Sequence, residues 1–293
     1  MSSNMAKNYS YLYLLPAVVL FGFFFIIPNI ASFFFGFTDW SIYYITDIHW
    51  NGLDNFRRMF ENPVLIRALL NTFYFAFVTV IARNVLGLLL ALAVNMKTRI
   101  EKYLRAAFFL PCLISVMVVG IIFGAIYDPY HGIINSFLRL IGLGSLAQSW
   151  LVDSRYAMSA VCLMDIWQWT GFSMVIYLAG LQSVPSEYYE AASIDGAGRM
   201  HKFWNITLPL IMPAISINIV LSVIGGLKVF GQVYALTNGG PADTTQVLGT
   251  YLYKSFGDGY LGYSSAIGLV MTLLVSIIAL PLLRVLRRME END

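Results

Sequence analysis

The chain has 293 residues, 58% of them hydrophobic and 12% charged, with a mean hydropathy of +0.70. Soluble domains carry about 25% charged residues, so this composition excludes an ordinary water-soluble globular domain and describes a polytopic membrane protein. The formal net charge of +2 says little about partners; the two cysteines (Cys112, Cys162) both lie in apolar runs and give no disulfide framework or metal spacing, and the three histidines (His49, His131, His201) are far apart in sequence and show no metal motif.

Crossing about 30 Å of hydrocarbon takes ~20 apolar residues. Six stretches meet that demand: 11–37, 67–95, 105–127, 156–182, 209–236 and 262–286. The first is long, aromatic and followed by further spans, and is read as a retained helix. Between the first two spans, Leu53, Phe56, Met59 and Phe60 recur at helical spacing around Arg57 and Arg58, which predicts an external amphipathic helix on the membrane. Pro63 then starts the approach to the second span. Segment 128–155 holds Gly132, Gly142, Gly144 and a short apolar run at 133–141, expected as a re-entrant or surface helix with a loop. Segment 237–261 opens on Thr237-Asn238-Gly239-Gly240-Pro241, a turn sequence. The whole chain is read as a single membrane domain.

Orientation follows from Lys and Arg. With the N-terminus inside, ten of the eighteen basic residues fall on inner segments: Lys7, Lys97, Arg99, Lys102, Arg105, Arg199, Lys202, Arg284, Arg287 and Arg288. Six fall on outer ones, and Arg83 and Lys228 lie within spans. Both termini and the loop 183–208 are therefore expected on the cytoplasmic side.

Polar groups within a bilayer are costly and mark cavities or partners. In the fourth span Asp165, Gln168, Trp169 and Phe172 follow i, i+3, i+4, i+7 and share one helical face. A carboxylate, an amide and two rings suit a sugar: the polar groups bond hydroxyls and the rings stack on a pyranose. Ser222, Gly225, Gly226 and Val229 repeat that spacing in the fifth span and leave room beside it, and Lys228 stands next to them. Each has a plainer reading. Asp165 can pair with Lys228 or Arg83 as a structural ion pair, the small residues can serve helix packing alone, and Arg83 is more readily a bond to a neighbouring helix or partner subunit than a substrate contact.

The longest patterned polar interruption is 183–208. Ser183 or Ser186 can cap a helix, and Glu187 and Glu190 suit the positive end of its dipole. Ala191 and Ala192 admit a close neighbour, Asp195 follows, and Gly196 and Gly198 end the helix. His201, Lys202, Phe203 and Trp204 suit a second, interfacial helix, and Pro209 and Pro213 open the next span. Physics alone leaves open a hairpin that binds nothing.

Glu190-Ala191-Ala192, then Gly196 after three residues, then Ile206 and Leu208-Pro209 complete the pattern E-A-A-x3-G-x9-I-x-L-P. It resembles the cytoplasmic signature loop of ATP-binding-cassette (ABC) importer permeases. The stretches LAGLQSVPSEYYEAASIDGAG (178–198) and VYALTNGGPADTTQVLGTYLY (233–253) are similar to the carbohydrate-uptake branch, in particular the first membrane subunit of maltose transporters. The resemblance runs from about Tyr11 to the C-terminal arginines. It implies an all-α, six-span type I importer fold in a bacterial or archaeal cytoplasmic membrane. It also implies a second homologous permease, two ATPase subunits gripping one loop from each permease, an external sugar-binding protein, and a di- or oligosaccharide as cargo, with no nucleic-acid partner. The chain lacks a G-x4-G-K-[ST] phosphate loop, so it cannot supply its own ATP chemistry, and the resemblance implies a permease that is no enzyme and carries no cofactor. ATP and Mg belong to the partner. The spans-four-and-five faces match the positions lining the sugar cavity of maltose-type permeases, except that an amide stands there in place of Asp165 and polar groups in place of Gly226 and Val229. The rival reading is an ion-coupled secondary transporter of small polar solutes, which calls for several buried acids or broken helices.

Overall fold

The computed structural model describes residues 11–95 and 100–292. Lys7, Lys97 and Arg99, three of the residues in the orientation argument, lie outside the described residues. Among the described residues regular structure is helical, apart from isolated bridges Thr38–Trp50 and Ser41–Tyr44. Among the described residues four helices are long and apolar enough to cross a membrane, or six if each of two sharply bent helix pairs counts as one span. The chain divides into two compact units, residues up to Glu61 with Leu252–Val270, and Asn62–Tyr251 with Met271 onward.

In the first unit, helix α1 (Leu15–Phe35) buries no residue over its length. That is the pattern of a helix whose solvent is hydrocarbon. A π-turn at Gly22–Ile26 interrupts it. Helix α2 (Asp54–Glu61) carries the i, i+4 pairs Arg57–Glu61 and Arg58–Asp54 on its exposed face. Its inner face is more polar than the apolar spacing implies. Met59 is buried and Phe56 packs on Phe37, but Leu53 and Phe60 are exposed, and buried Asn55 donates to the carbonyls of Gly36 (2.9 Å) and Thr38 (2.7 Å).

The second unit holds helices α3 (Pro63–Val94), α4 (Glu101–Leu113), α5 (Val116–Ile126), α6 (Ile133–Leu140) and α7 (Ala157–Ser183). After them come α8 (Ser186–Ile194), α9 (Arg199–Leu210), α10 (Met212–Leu227) and α11 (Gly231–Leu236). Two further helices, α12 (Leu248–Gly257) and α13 (Leu261–Asn292), continue into or out of it. Helix α3 begins four residues before the predicted span. The Asn62 side chain accepts from the Val64 amide at 2.9 Å and Pro63 occupies the first turn, a capped start that hydropathy does not register. Its buried positions, Leu65, Ala68, Thr72, Phe75, Ala76, Thr79, Arg83, Gly87 and Ala91 among them, recur every three or four residues and face α7 and α10. Helix α7 is the centre, packed along α3 and then α4. Three apolar clusters pack on it, around Phe75 and Val161, around Val119 and Met164, and around Met174 and Ile211.

Two predicted spans are not straight. The third breaks at Ile114–Ser115, where α4 and α5 meet at 98°. Pro111 sits inside the last turn of α4 and removes an amide there, and the Ile114 carbonyl left free by the break accepts from Gln168 Nε2 at 3.0 Å. The fifth breaks at Ile211, between α9 and α10 (67°), with Pro209 and Pro213 on either side, and α10 stops at Leu227 rather than running to 236. Segment 128–155 holds the expected short helix (α6) and loop. They are fastened by buried Asn135, whose Nδ2 donates to Pro129 and Gln148 carbonyls and whose Oδ1 accepts from the Gln148 amide and Trp150 Nε1 (2.8 Å). Asn135→Ala unpairs buried polar groups, each worth about 1–3 kcal/mol. Faster amide exchange confined to 128–150, with the spans unchanged, is the expected result.

Candidate functional site: a cavity in the bundle and an exposed loop

The turn spacing of α7 brings Asp165, Trp169, Phe172 and also Ser173 to one side. Opposite stand Leu221, Ser222 and Gly225 of α10, Arg83 of α3 and Gln232 of α11. Together they enclose a cavity of about 340 Å³, within the usual range for small-ligand sites. Asp165 is buried (2% exposed) and its Oδ2 lies 3.5 Å from Arg83 Nε. Arg83 also reaches Thr79 O (3.3 Å), Thr79 Oγ1 (3.4 Å) and Ser222 O (3.5 Å). Trp169 meets Phe172 edge to face, ring centroids 6.0 Å apart. Two polar atoms of the lining, Asp165 Oδ2 and Trp169 Nε1, are buried without a hydrogen bond.

Four residues singled out in the sequence stand elsewhere. Gln168 turns to the broken helix at Ile114. Gly226 faces away from the cavity, and a Cβ there would meet Ala76 Cα at 2.9 Å, so its smallness serves the approach of α3 and α10. Val229 lies past the end of α10 in the cluster with Phe75 and Val161, and Lys228 is exposed. Of the two pairings open to Asp165, the one formed is with Arg83. Arg83 bonds neighbouring helices, as its mid-span charge indicates, and also lines the cavity. Its charge in an apolar run was the signal. Ser173, Leu221 and Gln232 carried none.

One turn further along, a second polar cluster joins three helices. The Tyr177 hydroxyl and Asn218 Nδ2 both donate to Asn84 Oδ1, while Ser216 Oγ and Asn218 Oδ1 are buried without partners.

Helix α7 leads directly into the loop. Neither Ser183 nor Ser186 caps α8. Ser183 Oγ donates back to Gly180 O, and Pro185 occupies the cap position without a side-chain bond. Glu187 lies in the first turn of α8, and Glu187, Glu190, Ala191 and Asp195 are exposed while Ala192 is half-buried. The helix ends at Gly196, whose φ of +77° is the left-handed value that favours glycine, with the Ala197 amide bonded to Ala192 O at 2.8 Å. Gly198 does not end α8. At φ −72° and ψ 169° it precedes α9 as its cap. The two limbs are tied by Tyr189 Oη to Thr207 Oγ1 (3.1 Å) and by Lys202 Nζ to Ser193 Oγ (2.5 Å). Ala192, Asp195, Gly196, Gly198, His201 and Ile206 line a concavity of about 380 Å³ between them.

A multi-span chain with a polar cavity inside its bundle and a hinged helical loop at the end of its central helix is a membrane permease. The family model described as binding-protein-dependent transport system inner membrane component matches residues 83–290, and the chain belongs to that family. It is 35% identical over 280 residues to the probable ABC transporter permease protein YurN of Bacillus subtilis, covering 94% of this chain and 95% of the other. It is 36% identical over 279 residues to the arabinooligosaccharides transport system permease protein AraP of the same organism, covering 94% and 87%. A crystal structure of a bacterial alginate ABC transporter, in complex with an alginate pentasaccharide-bound periplasmic protein, superposes with a TM-score of 0.83 at 26% identity, covering 96% of this chain and 94% of that one. The chain is thus an inner-membrane ABC importer permease of the carbohydrate-uptake type, without an ATPase site of its own.

Proposed function

We propose that this permease moves a di- or oligosaccharide through a path that includes the cavity at Asp165, Trp169, Phe172 and Ser222, and that ATP hydrolysed by separate subunits drives it through the loop. The observation that carries the reading is the cavity wall. It sets a carboxylate, a guanidinium, an indole N–H and a hydroxyl beside two aromatic rings. Hydroxyls match the first group and pyranose faces the second. The names of AraP and of the alginate importer place oligosaccharides among the cargoes of relatives.

The full assembly is read as this chain with a second homologous permease, two ATPase subunits that bind ATP and Mg, and an external sugar-binding protein. The loop faces the cytoplasm. Glu187, Glu190 and Asp195 offer an acidic surface to an ATPase groove, and Ala191, Ala192, Gly196 and Gly198 let it approach closely. ATP-driven closure of the ATPases then rocks the loops and alternates access to the cavity.

Ile194, 87% exposed on this loop, is the place to test it. In membrane vesicles an Ile194→Cys variant is expected to react with an impermeant thiol reagent only from the cytoplasmic side. It is also expected to cross-link to the ATPase subunit of the assembled importer. Labelling from the external face, or sugar uptake that persists without the ATPase and follows an ion gradient, overturns the reading in favour of an ion-coupled transporter.

A further inference from the structure

The cavity has an electrostatic property that sugar binding alone does not require. Among the described residues that line it, Arg83 and Asp165 are the charged ones, and they are of opposite sign and both buried. Their closest recorded approach, 3.5 Å, is long for a charge-assisted hydrogen bond, which runs about 2.7–2.9 Å. Arg83 has five N–H donors, and its bonds to Thr79 and Ser222 all lie between 3.3 and 3.5 Å, beyond the usual 2.7–3.2 Å. Asp165 Oδ2 accepts no hydrogen bond and Trp169 Nε1 donates none. The pair balances charge without satisfying its own hydrogen-bonding capacity, and the unsatisfied atoms sit on the cavity wall.

We infer that the Arg83–Asp165 pair is a charge-parity filter that makes this cavity select uncharged polyhydroxylated solutes over acidic or amino sugars, an inference that rests on the sugar reading above. A hydroxyl is neutral, donates once and accepts twice. Adjacent hydroxyls of one ring can therefore donate to Asp165 Oδ2 while accepting from Arg83 and Trp169 Nε1, and the site's net charge stays zero. A uronate carboxylate drawn to Arg83 comes up against Asp165, and an ammonium drawn to Asp165 comes up against Arg83. In a buried site that like-charge approach is poorly screened. Removing one partner leaves an uncompensated buried charge, and the best ligand is then one that brings the missing charge with it.

The test uses the assembled importer in nanodiscs with three probe sets of two to five sugar residues: neutral gluco- and arabino-oligosaccharides, oligogalacturonates, and chito-oligosaccharides with free amines. Equilibrium binding of the wild type is expected to favour the neutral set by at least about tenfold over either charged set. Asp165→Asn is expected to move the preference to oligogalacturonates and Arg83→Gln to the amino sugars, while Arg83→Gln with Asp165→Asn restores the neutral preference. Gly225→Asp and Gly225→Lys make the same shifts with the pair intact, toward amino sugars and uronates respectively. Gly225 faces the cavity with open space around its Cβ position, so these variants decide the matter even where the pair variants fail to assemble. Single variants that weaken all three sets equally, or Gly225 variants that leave the preference unmoved, overturn the filter and leave the sugar reading standing. A wild type that binds none of the sets overturns both.

Discussion

Gly171→Ala is expected to prevent the chain from accumulating as a folded membrane protein. The glycine lies in α7 where it crosses α4, and a Cβ there would fall on the Phe108 carbonyl oxygen, 2.6 Å from its carbon and 3.1 Å from Phe109 Cα. These are backbone atoms and cannot swing aside as a side-chain tip does. Overpacking a core typically costs about 1–3 kcal/mol and occasionally more. Here relief requires moving α4 off α7, which also parts Gln168 from the Ile114 carbonyl and leaves buried polar groups unpaired. The matched control is Gly124→Ala in α5, where a Cβ meets nothing within 4 Å. That change is expected to be neutral or to gain up to about 1 kcal/mol from helix propensity. Fluorescence-detected size exclusion and thermal melting of the two variants measure the difference. A Gly171→Ala protein that melts with the wild type refutes the packing argument.

The second large effect is expected at the loop, and it spares the fold. Glu190→Arg reverses an exposed charge that makes no ion pair among the described residues, so the permease should melt as the wild type does. If Glu190 meets a basic partner in an ATPase groove, reversal costs about 2–5 kcal/mol, roughly 30- to several-thousand-fold in association. Transport falls accordingly while the ATPase subunits lose their stimulation by the loaded binding protein. Gly196→Val works differently. It has free space around it but a φ of +77°, strained for a β-branched residue by about 1–2 kcal/mol. The expected result is a displaced α8–α9 hinge and uncoupled ATP hydrolysis. Full transport by both variants would show that the loop is not the drive contact.

Composition and hydropathy predict six membrane-crossing segments, because hydrocarbon length is a one-dimensional constraint; among the described residues four stand as single long helices and two as bent pairs. Hydropathy was not enough to show that two of them bend. Pro111, Pro209 and Pro213 were visible, but a proline in a membrane helix can kink it, start it or do neither, and the outcome depends on which neighbour satisfies the freed carbonyl. Gln168 is that neighbour at Ile114, and this is why the periodic face of α7 was only partly right. At 100° per residue Gln168 lies 60° to one side of Asp165 and Trp169 40° to the other, and the free carbonyl claims the former. On α10 the same ambiguity fell differently. Ser222 and Gly225 face the cavity, whereas Gly226 packs on Ala76 and Val229 lies beyond the helix end. Periodicity defines an arc of about 100°, and only the packed neighbours divide that arc between a ligand face and a protein face. The charge of Arg83 was legible in the sequence, but its position on the cavity wall was not. The loop was the most legible part, since a motif with a left-handed glycine needs few distant neighbours to take its shape.

Helix α7 runs unbroken from Ala157 to Ser183, as α3 beside it does from Pro63 to Val94, while the α4–α5 and α9–α10 spans are jointed. From Ser173 on the cavity wall to the end of this helix is roughly 15 Å of rise at 1.5 Å per residue, and no proline falls on that route. A push delivered at the loop end can therefore reach the cavity wall without passing an elbow. Because α4 is locked to α7 at Gly171 and through Gln168, that bent neighbour moves with the shaft.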